Sequence, residues 1–182
     1  MLQSEMPPVK AAPMRLAVSC ALFLLSAPLG AQTRSLHPWV VADSGARKVT
    51  LDLVAVHTAG ASAPALNGIS HGAVQMVVPL GWTVILEWRN ADSTAAHSFI
   101  VQQEREKLPE RAGEPAFQYA YSLSPVGGLA FERTDRTQFV VDQAGWYWIL
   151  CGVPGHAILG EYLSLKVDRD ALGVSLVAKP AP

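Results

Sequence analysis

Apolar and polar residues alternate with a period of two over several short stretches, and Gly, Pro, Asn and Asp separate those stretches. Successive side chains of a strand point to opposite faces, so this period predicts half-buried strands rather than helices. The expected strands are 49–57, 73–79, 83–89, 97–102, 138–141, 146–151 and 161–167. Turn signals fall between them at Asn67-Gly68, Pro79-Leu80-Gly81, residues 90–93 and Gln143-Ala144-Gly145. Strands do not alternate with helices and no internal repeat is visible, which predicts an all-β, antiparallel sandwich.

Two stretches depart from the alternation. Strand 146–151 is apolar on both faces, with Tyr147, Ile149 and Cys151 on one and Trp146, Trp148 and Leu150 on the other. Such a strand needs a second covering layer. The long segment 103–131 is the candidate cover. It starts charged, through Glu104, Arg105, Glu106, Lys107, Glu110 and Arg111, with a short helix expected there. It then turns aromatic at Phe117, Tyr119 and Tyr121, and reads as an insertion draped over one sheet.

The N-terminus carries a different pattern. Lys10 and Arg15 precede an apolar run from Leu16 to Leu29, and Ala31 offers a small residue for cleavage. Residues 1–31 therefore read as an export signal, with translation starting at Met1 or Met14. The run is short for a membrane span, which needs about 20 residues; if left uncleaved it would serve as an anchor. The organisation expected is a leader 1–31, a linker 32–47, one domain 48–168 and a surface tail 169–182. The product would be periplasmic or extracellular, monomeric, and attached to a membrane only through an uncleaved leader.

The 182 residues suffice for one domain, and a 50% hydrophobic content supplies its core. Net charge is −1; removing Glu5, Lys10 and Arg15 with the leader takes away +1 and leaves −2. That balance gives no reason to expect nucleic acid or an anionic membrane as a partner. Cys20 falls in the leader, so the exported domain keeps a single thiol, Cys151, and cannot form an internal disulfide.

Cys151 is followed by Gly152-Val153-Pro154-Gly155-His156, and His97-Ser98 lies far upstream. A thiolate and two imidazoles form the donor set of trigonal copper sites with a weak axial ligand. The strand period places Cys151 with Tyr147 and Ile149, and His97 with Phe99 and Val101, on apolar faces. Glu161 falls in phase with Leu163, Leu165 and Val167. A carboxylate in that register is expensive unless paired or metal-bound, which puts Glu161 beside the site. Ser98 is either a hydrogen-bonding support of the ligand loops or an ordinary strand serine. His37, His57 and His71 lack partners at ligand spacing.

The run Cys151-Gly-Val-Pro-Gly-His156-Ala157 resembles the ligand loop of cupredoxins of the sulfocyanin and rusticyanin type. Leu66-Asn67-Gly68, Val78-Pro79-Leu80-Gly81-Trp82, Asn90, His97-Ser98, the segment 117–128, Phe139 and Gly145-Trp146-Tyr147 continue the similarity. The resemblance implies a Greek-key β-sandwich, the cupredoxin fold, with one copper ion held by His97, Cys151 and His156. It implies single-electron shuttling outside the cytoplasm rather than enzymatic catalysis, with a cytochrome or oxidase subunit as redox partner. Electrons are expected to leave near His156, past Pro154, Ala157 and Ile158.

One departure stands out. The family places a methionine five residues after the loop histidine, where this chain has Glu161, and Met76 is the only methionine after the leader. Three readings of Glu161 follow: a carboxylate bound to copper, a carboxylate near the metal without bonding, or a site that has lost its affinity. A copper-delivery module and a small-molecule-reactive copper site are the alternatives to electron transfer. The absence of a Met-rich tract counts against the first, and no substrate pocket is legible for the second.

Overall fold

The structure, a computed structural model, describes residues 33–57 and 64–179. The expected export segment 1–31 and the last residues of the expected tail, 180–182, lie outside the described residues. The strands are β1 (Thr33–His37), β2 (Val40–Asp43), β3 (Lys48–Val56), β4 (Ala65–Leu66), β5 (Val74–Pro79) and β6 (Thr83–Asn90). They continue with β7 (Ile100–Gln103), β8 (Thr134–Val140), β9 (Gly145–Leu150), β10 (Tyr162–Asp168) and β11 (Ser175–Ala178). One sheet runs β1-β2-β3-β6-β8 with β4 beside β3; the other runs β11-β5-β10-β9-β7.

This is the expected all-β Greek-key sandwich. The sheets are mixed rather than purely antiparallel, because β3 pairs with β6 and β5 with β10 in parallel. Neither pair is adjacent in sequence, so each connection crosses over instead of closing a hairpin.

The alternation in sequence becomes an alternation in burial. β3 turns Val49, Leu51, Leu53 and Ala55 inward, and β6 turns Val84, Leu86 and Trp88 inward. Met76, Val78, Tyr147, Ile149, Leu163, Leu165 and Val167 of the other sheet meet them in one core. Each such large side chain contributes about 1.5–3 kcal/mol by leaving water. Two-sided burial of β9 holds from Tyr147 onward, whereas Trp146 at the start of the strand is 49% exposed. Trp148 and Leu150 join Ile100 and Ala157 in a second cluster, covered by Leu108 and Ala112 of the insertion.

The insertion differs from expectation at its start. No helix forms among the described residues of 104–111. Pro109, Gly113 and Pro115 disfavour one, and the backbone bonds outward instead. Ala112 N–H donates to Gly152 O at 2.8 Å, and Glu110 O accepts from Gly155 N–H at 2.7 Å. The insertion therefore grips the loop that follows β9. The sheets also recruit segments on either side of 48–168. β1 and β2 extend one sheet, while β11, within the expected surface tail, pairs antiparallel with β5 and covers its edge. Among the described residues no helix is long and apolar enough to cross a membrane.

Candidate metal centre

The centre forms where β9 ends. Cys151 directly follows that strand, and its N–H donates to Glu161 O at 3.0 Å, while Glu161 N–H donates to His156 O at 3.0 Å. These bonds close residues 152–160 into a tight loop whose two ends carry Cys151 and Glu161. Gly152 is needed there, because a Cβ would lie 2.5 Å from Ala112 Cβ and closer still to Pro125 O. At the far end Gly160 adopts φ +110°, with the His71 ring against its α-carbon.

His97 enters from the other side, held by paired backbone bonds with Leu129 at 3.2 and 2.7 Å. Ser98 joins the two halves. Its N–H points at Cys151 Sγ at 3.4 Å, and its hydroxyl donates to Pro125 O at 2.7 Å and accepts from Gly152 N–H at 2.9 Å. Ser98 is thus a supporting residue of the ligand loops and not an ordinary strand serine.

The structure brings together all four residues singled out from the sequence. One donor atom each from His97, Cys151, His156 and Glu161 lies within 4.8 Å of the others. His97 Nδ1 is 2.8 Å from Glu161 Oε2 and 3.9 Å from Cys151 Sγ. His156 Nδ1 is 3.2 Å from the same oxygen, 3.5 Å from the sulfur and 3.2 Å from His97 Nδ1. The His97 and Glu161 side chains are buried, whereas that of His156 is 18% exposed.

A further carboxylate was not foreseen. Asp92 Oδ2 lies 3.0 Å from His97 Nε2, on the ring edge opposite Glu161, and is itself buried. Asp92 sits in a stretch legible only as a turn, and nothing in the strand periodicity ties it to His97. His57 Nδ1 comes within 3.8 Å of the same oxygen, so this histidine lies near the centre despite lacking ligand spacing. His71 touches the same loop at Gly160, whose carbonyl accepts its backbone N–H at 2.7 Å.

These contacts favour cations. Burial opposes charging His97, but hydrogen bonds with Cys151 and Glu161, the Glu161 charge and the Asp92 bond outweigh it and push it up to about 10. His156 rises to about 9, chiefly through hydrogen bonds with Cys151 and Glu161. Burial would raise Asp92, yet hydrogen bonds from Thr94 and His97 hold it at about 2.

A metal ion fits this environment. Among the described residues Glu161 Oε1 is buried without a hydrogen-bond partner, which is costly for a carboxylate and is relieved by a cation. Two imidazole nitrogens and a carboxylate oxygen crowd one point, and a single ion can replace the protons between them. A tetrahedron with arms of about 2.0–2.3 Å has edges of roughly 3.3–3.8 Å. The N···N separation of 3.2 Å, the N···S separations of 3.5 and 3.9 Å and the 3.2 Å from His156 Nδ1 to Glu161 Oε2 are close to that. The 2.8 Å from His97 Nδ1 to Glu161 Oε2, in contrast, is a hydrogen-bond length that an ion would widen.

Residues 39–174 match the family model of the sulfocyanin (SoxE) domain. The chain belongs to the sulfocyanin family. It is thus a blue-copper protein of the cupredoxin class, which takes one copper ion and transfers electrons rather than acting as an enzyme. No curated protein matches it. Solved structures of similar fold include rusticyanin from Thiobacillus ferrooxidans, 23% identical, with 67% of this chain and 82% of that one covered at a TM-score of 0.41. Auracyanin A, a "blue" copper protein from Chloroflexus aurantiacus, is 19% identical over 66% of this chain and 99% of that one, at 0.46. A copper nitrite reductase from Nitrosomonas europaea is 24% identical over 66% of this chain but only 41% of its own, at 0.48.

The surroundings of His156 correct one expectation. Ala157 is buried at 1% exposure and belongs to the second cluster, so it offers no outward surface. Pro154, Ile158 and Leu159 are exposed, the last two at 56% and 53%. Pro154 and Ile158 thus face outward as expected, and Leu159 takes the place of Ala157.

Proposed function

We propose that this sulfocyanin is an exported electron carrier whose copper is held by His97 Nδ1, Cys151 Sγ, His156 Nδ1 and the Glu161 carboxylate. The observation that carries this reading is the convergence of those four donors, with Glu161 Oε2 against both histidine Nδ1 atoms and its Oε1 buried with no hydrogen-bond partner among the described residues. Copper bound there supplies a one-electron Cu(II)/Cu(I) couple. The chain's own part is to fix the donors. Ser98, Gly152 and the insertion hold Cys151 and its loop, which limits rearrangement between oxidation states.

Glu161 takes the place of the family's methionine. A carboxylate is a harder donor than a thioether and favours Cu(II) over Cu(I). Such a preference places the potential of this chain below that of methionine-ligated relatives. Burial of three of the four donors suits a resident ion, and speaks against a delivery module that must release its metal. His156 is the ligand nearest solvent, and the exposed Ile158 and Leu159 beside it form the surface for a redox protein partner. The apolar run 16–29 behind Arg15 supports export.

An optical and EPR titration of the exported domain with Cu(II) tests the ligand set. The expected result is strong thiolate-to-copper absorption saturating at one equivalent and absent in Cys151→Ser. Equal spectra for the two proteins would overturn it.

A further inference from the structure

Asp92 lies in the loop after β6, and its two oxygens have separate tasks. Oδ1 accepts from Thr94 N–H at 2.7 Å and from the Thr94 hydroxyl at 2.6 Å, which closes the local turn. Oδ2 faces His97 Nε2 at 3.0 Å. The residue is oriented from behind as well. Its N–H donates to Asn90 Oδ1 at 2.7 Å, and the Asn90 amide donates to Ala95 O and Leu129 O, both at 2.9 Å. Leu129 in turn is the backbone partner of His97. One hydrogen-bonded unit thus fixes both the main chain and the ring of that histidine.

The turn alone does not require a charge. Asparagine closes such turns as well as aspartate does, because the bonds need only a side-chain oxygen acceptor. A buried carboxylate is the more expensive choice unless its second oxygen meets a strong donor. Oδ2 meets the ring N–H of His97 at 3.0 Å, while His57 Nδ1 lies further off at 3.8 Å.

We infer that Asp92 is a positioning residue of the copper centre: it accepts the Nε2–H of His97, keeps Nδ1 turned toward the metal, and adds negative charge that favours Cu(II). The inference rests on the proposed ligand role of His97. A histidine that binds metal through one nitrogen commonly donates its other N–H to a carboxylate or carbonyl, which makes it a more basic ligand. Here the arrangement sandwiches one ring between two buried carboxylates, Glu161 on the metal side and Asp92 on the other.

The test is Asp92→Asn, which keeps an oxygen for Thr94 but presents an amide to His97. Cu(II) affinity is expected to fall about 10- to 100-fold. Where that loss falls wholly on Cu(II), the potential rises by about 59–118 mV. The Cu(I)-loaded protein, being diamagnetic, allows the His97 Nε2–H to be followed by NMR. Its slowly exchanging signal should persist in the parent protein and be lost in Asp92→Asn. Thr94→Val removes a contact of Oδ1 only, and should leave the potential in place. Unchanged affinity, potential and Nε2–H signal in Asp92→Asn would overturn the role, as would an equal shift in Thr94→Val. If the parent protein shows no Cys151-dependent copper absorption, the ligand reading falls and this role falls with it. Intact absorption beside an unaffected Asp92→Asn overturns the Asp92 role alone.

Discussion

The two histidines of the centre sit in opposite surroundings. His97 is fully buried, bonded at both ring nitrogens to carboxylates, and tied through its main chain to Leu129. His156 lies on the turn after β9, partly exposed, with Ile158 and Leu159 open to solvent beside it. The same side chain serves two purposes because of what surrounds it. With copper held as proposed, the buried side sets the charge and geometry felt by the metal, while the rim side gives access to it. A site built with two buried histidines would have no short way out, and one with two exposed histidines would lack a fixed electrostatic environment.

The sharpest way to break this comparison is to delete each ring in turn. His97→Ala leaves Asp92 Oδ2 buried without its hydrogen-bond partner and Glu161 with the partly exposed His156 alone, and should cost about 3–5 kcal/mol in the metal-free protein. His156→Ala leaves Glu161 still paired with His97, and should cost about 1–2 kcal/mol. Urea unfolding measures both. Added imidazole should restore thiolate-to-copper absorption in His156→Ala, where the gap opens at the surface, and not in His97→Ala. Equal costs and equal rescue would erase the distinction.

Changing pH probes the same contrast in the metal-free protein. Both histidines have folded-state pKa values raised above the ordinary 6.5, so their contribution is complete below about 6.5. It is lost as pH rises, first through about 9 for His156 and then through about 10 for His97. Asp92, depressed from 3.8 to about 2, contributes above about 4 and loses that contribution as pH falls through about 2. Urea midpoints should therefore decline across the alkaline range in the metal-free protein. Copper-loaded protein, whose bound nitrogens carry no proton, should lack that decline. A flat metal-free profile would contradict the pairing.

The smallest effect is expected at the rim. Ile158→Lys places a charge on the proposed docking surface and should slow electron exchange with a redox protein about tenfold, the equivalent of about 1.4 kcal/mol in the barrier. Copper absorption and potential should stay as they are. Stopped-flow exchange kinetics would show this, and an unchanged rate would remove Ile158 from the partner surface.

Much of this arrangement could be read from the chain before its structure. Alternation in 49–57 and 83–89 reported burial faithfully, because one face of each strand meets the core and the other meets water. Glu161 was legible for the same reason, since its phase with Leu163 and Leu165 left it nowhere but inside. Cys151 and His156 share one short loop, so their spacing already implied their proximity. Asp92 was hidden because it acts from a turn, where side-chain direction has no period and Asp is ordinary. The insertion was legible as a cover but not in its path. Its backbone bonds to Gly152 and Gly155 are long-range pairings that no local pattern records. Pairing of β11 with β5 was missed likewise, because a short mixed segment such as Ser175–Ala178 becomes a strand only when an open edge accepts it.

The central claim is that Glu161 stands at the metal in place of methionine, and the reduction potentials of the parent protein and Glu161→Met test it most directly. Measured in one buffer, the variant should lie higher by about 120–180 mV, the equivalent of losing a roughly hundredfold to thousandfold preference for Cu(II). Its EPR spectrum should change with it. Identical potentials and identical spectra would place Glu161 outside the copper centre.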